Sequence, residues 1–449
     1  MNRPKLFVLA ACSLILCLPC LAGDPLDPLI DRELESLLET YKYLHLNPEL
    51  SFYEEKTAGY LAGQLRPLGF SVTEGIGQYR QRELRGHGLI AVLKNGNGPT
   101  VLVRTDMDAL PVQERTGLPY ASKVLARNET GEEVHVMHAC GHDAHMAAFL
   151  GAAKVLSQLQ DHWRGTVMLV AQPAEERGAG ARAMLDDGLY SRFGRPDFAI
   201  ALHADASLEA GRVGVCEGYA LGNVDSVDIT LRGIGGHGAY PQNTKDPVVL
   251  AAEVVLALQT IISRENSPLD PAVITVGSIH GGTKHNVIPD EVHLQLTVRS
   301  YKEEVRKKLL ASIERVTRGA ALAAGIPVDR APIVVVSETE AVSATFNNPE
   351  LTRRLAAVLK TSLGTDNVVP RDPVMGGEDF GRFGLDDRQI PVALLWLGSV
   401  DPARVEQSQR QGTPLPSLHS SEFAPLPGPT IRTGVKTLVS VVMDLLKKP

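Results

Sequence analysis

The sequence predicts an α/β protein, a mostly parallel sheet flanked by helices, with a smaller α+β domain inserted into it. Two patterns lead there. In the first half, apolar runs of strand length alternate with a helical pattern, as a parallel sheet covered by helices requires. Around Gly222 the style changes to long alternating strands with amphipathic stretches between and after them, which marks a separate unit. The chain has 449 residues, enough for two domains.

In chain order, "LIAVL" and "TVLVRTD" are strands, "AHMAAFLGAAKVLSQL" is a helix, and "GTVMLVAQ" and "FAIALHA" are strands again. The inserted unit contributes "VDSVDITLRG", "AVITVGSI" and "EVHLQLTVRS", with helices over "DPVVLAAEVVLALQTII" and "EEVRKKLLASIERVTRGAALAAG". After "PIVVVSET" the first unit resumes with "NPELTRRLAAVLK" and "VALLWLG". The expected divisions are a signal peptide over 1–22, a catalytic domain over 23–221 and 338–449, and the insertion over 222–337.

The signal peptide rests on "MNRPK" followed by the apolar run "LFVLAACSLILCL" and a small residue, Ala22, for cleavage. The run is shorter than the roughly 20 residues a membrane span needs. An exported chain, periplasmic or secreted, is therefore expected; lipid attachment at Cys12 is the weaker reading, because only Leu6 to Ala11 would serve as its apolar core. A net charge of -7 with no basic stripe excludes nucleic acid as an expected partner.

Removing 1–22 leaves Cys140 and Cys216. Either they form one bridge, or Cys140 is a metal thiolate and Cys216 a buried thiol. The stretch "MHACGHDAHMA", Met137 to Ala147, favours metal chemistry, because imidazole, thiolate and carboxylate donate lone pairs to divalent cations. Asp106 and Asp108, Glu175 and Glu176, and His203 all fall just beyond expected strand ends, where open α/β sheets bind ligands. Cys140 and His142 share a side if the chain is extended there. Glu175 and Glu176 point different ways, so that one can hold a metal while its neighbour reaches a water. "GIGGHG", Gly233 to Gly238, fits a dinucleotide pattern, but Pro241 to Thr244 separate it from the next helix; its glycines more readily bring His237 close to another surface.

The ordered series "HLNPELSFYE", "RTDMDALPVQE", "MHACGHDAHMA", "QPAEE", "GGHGAYP", "HNVIPDEV", "GGEDF" and "LHSSEF" resembles the zinc-dependent aminoacylase/carboxypeptidase-type metallopeptidases. The resemblance is to their amidohydrolase branch, with hippurate hydrolase, N-acyl-amino-acid hydrolases and plant indole-acetyl-amino-acid hydrolases. It implies two divalent ions per subunit (zinc, manganese, cobalt or nickel) on Cys140, His142, Glu176, His203 and His419. It implies Glu175 as general base, Asp106 behind the ligands, and His237 and Asn286 as substrate contacts, His237 reaching a neighbouring subunit. Arg104 stands where the wider family has a ligating histidine, and guanidinium cannot ligate. The implied reaction is hydrolysis of a small N-acyl amino acid by a homodimer; a dipeptidase or carboxypeptidase with the same site is the alternative, and a non-catalytic ligand-binding relative the alternative of another class.

Overall fold

The computed structural model describes residues 26–79, 84–385 and 388–448. The segment 1–22, expected as a signal peptide, lies outside them. Six strands of the largest sheet come before residue 223: β1 (Ser71–Gln78), β2 (Arg85–Asn95), β3 (Thr100–Asp106), β4 (Gly165–Gln172), β5 (Phe198–Glu209) and β6 (Val213–Val215). Four form a sheet of their own: β7 (Asn223–Arg232), β8 (Ala272–His280), β9 (Glu291–Ser300) and β10 (Ile333–Val336). Then β11 (Val368–Pro370) and β12 (Val392–Val400) return to the first sheet.

The eight strands of the first sheet run in the order β1-β2-β4-β3-β5-β12-β6-β11. Its centre is parallel, β4 with β3, β3 with β5 and β5 with β12. Antiparallel neighbours lie towards both edges, β1 with β2, β2 with β4, and β6 with β12. Helices α1 (Asp27–Leu46), α2 (Glu55–Leu65) and α3 (His142–Gln158) share one core with the C-terminal helix Pro427–Leu445. Packing there is tight enough to require glycine: a Cβ on Gly151 of α3 would meet Val435 Cγ2 at 2.3 Å and Leu37 Cδ1 at 2.7 Å. Phe380, Phe383, Met184 and Leu189 cover the opposite face.

The second sheet is antiparallel, in the order β8-β9-β7-β10. Alternate residues of β9 are buried, and helices Pro247–Thr260 and Glu303–Ala323 cover that face through Leu250, Val254, Leu258, Leu309 and Ile313. Among the described residues, Pro247–Glu265 alone has the length and composition of a membrane span. It packs here as a sheet cover, with Val248, Val249 and Leu256 exposed. In "GIGGHG", Gly236–His237 pairs with Val287–Ile288 and the helix opens only at Pro247.

Two local expectations are corrected. β5 does not end at His203 but runs on to Glu209, because β12 continues to pair with it, Trp396 opposite His203. Cys140 and His142 do not lie on an extended loop: Gly141, at φ 81, turns the chain so that His142 begins α3. Left-handed backbone there is cheap for glycine.

An internal ion pair ties α1 to α3. His45 Nδ1 lies 2.7 Å from Asp143 Oδ2 and Nε2 lies 3.1 Å from Glu114 Oε1. Burial alone would depress His45, but its bonds to Asp143 and Glu114 outweigh that and raise it to about 10. The raised value makes this contribution full below the unfolded value of about 6.5 and lost as pH rises through about 10. His45→Gln should therefore cost roughly 3 kcal/mol at pH 6, where it leaves Asp143 buried without a charged partner. Urea unfolding of both proteins should show the gap closing above pH 10; a gap constant across that range contradicts the assignment.

Candidate metal and catalytic site

The sheet brings strand ends and loops that are distant in sequence to one place. Cys140, His142 and His203 offer donor atoms all within 4.8 Å of one another, as do Cys140, Glu176 and His419, and His142, Glu175 and Glu176. Thus the five expected ligands and Glu175 form one connected cluster. Cys140 Sγ is 3.7 Å from His203 Nε2, and His419 Nε2 is 3.4 Å from Glu176 Oε2. His419 holds a left-handed backbone, φ 67, with its N–H on Ala139 O; non-glycine residues in that region gather at functional sites.

The histidines are oriented by their other nitrogens. His142 Nδ1 lies 2.8 Å from Asp108 O and His203 Nδ1 lies 2.9 Å from Ala204 O. A main-chain carbonyl only accepts, so each Nδ1 carries a proton and Nε2 is the nitrogen left to face a cation. Burial opposes charge on His142, but Asp106, Glu176 and Asp108 raise it to about 9, so its Nε2 must lose a proton to ligate. His145 is different: its Nδ1 faces Asp106 Oδ1 at 2.7 Å and its Nε2 accepts from Ala204 N at 2.7 Å, so neither nitrogen is free to ligate.

The donor set fits divalent cations. His142 Nε2 and Glu176 Oε1 are buried without a hydrogen-bond partner, an expensive arrangement that a cation relieves. Burial, then the neighbouring carboxylates Glu176 and Glu175, push the Cys140 thiol well up. Burial raises Glu176 to about 7, and burial followed by Glu378, Glu176 and Asp379 raises Glu175 well above the carboxylate range. Nearby positive charge reverses all three shifts. Both Cys140 and Cys216 are free thiols, so the bridge does not form.

Arg104 supplies a permanent cation behind the cluster. It reaches Asp106 Oδ2 at 2.6 Å, Glu378 Oε1 at 2.8 Å and Gln172 Oε1 at 2.9 Å, all buried. Burial opposes its charge, but Glu378, Asp106 and Asp379 outweigh that and hold its pKa above the usual value. Asp106 thus spans Arg104 and His145, with its Oδ2 3.6 Å from His142 Nε2. Glu378 and Asp379 had no role assigned from sequence, although "GGEDF" carries them; an arginine expected inside a sheet demands such partners.

A cavity of about 550 Å³ opens over the donors. Cys140, Glu175, Glu176, His203 and His419 line it, with Leu221, Val342, Val374, Trp396 and Leu418, and with Val224, Ser226 and Arg299 of the second sheet. Arg299 was also missed, since an arginine in an alternating strand looks like any surface cation. His237 and Asn286 are not among the lining residues. They sit together, Gly238 N donating to Asn286 O at 2.9 Å, and both are exposed.

The comparisons with known proteins agree with this geometry. The model of peptidase family M20/M25/M40 matches residues 102–411. The hippurate hydrolase of Campylobacter jejuni is 36% identical over 342 residues, 76% of this chain and 82% of that protein. Thermostable carboxypeptidase 2 of Saccharolobus solfataricus is 34% identical over 397 residues, 87% of this chain and 91% of that protein. A Bacillus subtilis structure described as a dinuclear metal-binding peptidase of the M20 family superposes with a TM-score of 0.70 at 28% identity, over 92% of this chain and 98% of that one. The expected export to periplasm or medium is overturned by the same comparisons, because the relatives matched are largely cytosolic enzymes. With most of its length matched by the family model and by these relatives, the chain belongs to peptidase family M20/M25/M40 and is a metal-dependent hydrolase of amides, its buried donors fitting a pair of divalent ions.

Proposed function

We propose that the chain hydrolyses N-acyl amino acids, releasing a carboxylic acid and a free amino acid. The observation that carries this reading is the cavity wall: Leu221, Val342, Val374, Trp396 and Leu418 suit an apolar acyl group, and Arg299 suits the free carboxylate of the amino acid. The ammonium of a dipeptide would lose its hydration against the apolar part of this wall, and Glu340, which also lines the cavity, is already engaged by Arg177 at 3.3 Å. Cys140, His142, Glu176, His203 and His419 hold the metal pair. Bound there, divalent cations supply Lewis acidity and lower the pKa of water toward about 7.

The protein's own part is proton handling and orientation. Glu175 takes the proton of the attacking water and returns it to the leaving nitrogen. Arg104 and the carboxylates around it keep the strand ends that carry the donors in register. His237 donates to the carbonyl oxygen as negative charge develops there, from a second copy of the chain. Exposed Val248, Val249 and Leu256 on the covering helix, with Val273 and Ile279 on the edge strand β8, support pairing of the 222–337 units.

The test is a panel of benzoyl-, acetyl- and indoleacetyl-amino acids beside simple dipeptides, each with zinc, manganese, cobalt and nickel. Benzoyl or indoleacetyl conjugates should show the highest kcat/KM. Faster turnover of dipeptides with free amines would replace this reading by the dipeptidase one.

A further inference from the structure

Three consecutive backbone N–H groups in "PAEE" each end on a buried carboxylate from a distant part of the chain. Ala174 N donates to Glu54 Oε1 at 2.7 Å, Glu175 N to Asp108 Oδ1 at 3.1 Å and Glu176 N to Asp108 Oδ2 at 3.0 Å. Glu54 Oε1 also accepts from Phe52 N at 3.0 Å, and Ser51 Oγ donates to Asp108 Oδ2 at 2.6 Å. Both carboxylates are fully buried, at 0% exposure. Such a run of amides forms a concavity that binds anions; here the protein fills it with its own side chains.

The bonds meet at the points where the backbone is least free to hold itself. Ala174 (φ 49) and Phe52 (φ 74) are both left-handed without being glycine, a conformation that persists only when its surroundings impose it. One oxygen of Glu54 ties these two residues together. A rotation at Ala174 would swing both Glu175 and Glu176, so the clamp sets where their carboxylates go. Asp108 extends the same control to a third group, since its carbonyl fixes the His142 ring.

We propose that Glu54 and Asp108 are positioning residues, an acceptor clamp on the amides of 174–176 that sets the direction of Glu175 and Glu176 and thereby the affinity of the site for its cations. The proposal rests on the reading of Glu176 as a ligand and Glu175 as the base. It makes an asymmetric demand. Glu54 uses only Oε1, its Oε2 having no hydrogen-bond partner, so glutamine can keep both bonds. Asp108 uses both oxygens, so asparagine must turn an N–H donor against an amide.

The experiment measures zinc and manganese affinity of the full chain by chelator competition, together with kcat and KM on the best panel substrate and the thermal midpoint of the metal-free protein. Glu54→Leu and Asp108→Asn should bind roughly 10–100-fold more weakly, as deletions behind metal ligands typically do, while Glu54→Gln stays within about twofold of the parent. The kcat of the two damaged variants should fall more than KM rises. Should Glu54→Leu fail to fold, Glu54→Asp, whose acceptor falls short, carries the comparison and should bind as weakly. A folded Glu54→Leu or Glu54→Asp with parental affinity overturns the clamp, and so does Glu54→Gln as weak as Asp108→Asn. A parent chain that binds neither metal overturns the site reading itself, a result distinct from either.

Discussion

Glu175→Gln is expected to lower kcat roughly 10²–10⁴-fold, the usual yield of a positioned general base, while the protein keeps its metal. The substitution preserves shape and removes only the ability to take a proton. Glu175 is buried, 3.8 Å from His142 Nε2, and its backbone N–H is held by Asp108, so glutamine starts from the same backbone position. Glu176, one residue on, is the contrast: Glu176→Gln should reduce the metal retained on gel filtration. Near-normal turnover in Glu175→Gln, with metal content unchanged, would remove it from the mechanism.

His237→Ala should retain metal and lose activity roughly 10²–10³-fold, the loss found when an oxyanion donor is deleted. His237 is exposed and absent from the cavity wall of its own chain, so a contribution to the site requires either closure of the inserted unit over its own chain or, as proposed, a second copy. Mixing His237→Ala with Glu175→Gln under conditions that exchange subunits should then restore activity, because a hybrid dimer holds one site with both residues intact. Absence of recovery despite demonstrated exchange would reject donation in trans.

Which parts of this were legible in the sequence follows from how local they are. β9 was readable because one face is buried and the other is exposed, so its residues alternate. β3, β4 and β12 were readable as unbroken apolar runs because both faces are covered. β1, "SVTEGIGQ", shows neither pattern: Gly75 and Gly77 take positive φ and the register shifts there. The C-terminal helix was legible but overlooked: polar Arg432, Lys436, Ser440 and Asp444 recur every four residues beside apolar Ile431, Val435, Leu438 and Val442. In the site, "MHACGHDAHMA" and "QPAEE" concentrate donors within a few residues and were plain. The cradle of Arg104 was not, since its partner Glu378 lies 274 residues away, and the bonds of Glu54 to Ala174 and of Asp108 to Glu175 and Glu176 likewise join distant loops through the backbone, which side-chain identity does not reveal.

In the proposed site Cys140, His142, Glu176, His203 and His419 hold two divalent ions while Glu175 stays free beside them. Anomalous diffraction from crystals of the zinc- or manganese-loaded protein, collected above and below the metal edge, tests this most directly. Two peaks among those five side chains, with Glu175 outside the coordination of both, is the predicted result. A peak held by Asp106, Glu378 and Asp379, or one held by Glu175 in place of Glu176, would contradict it.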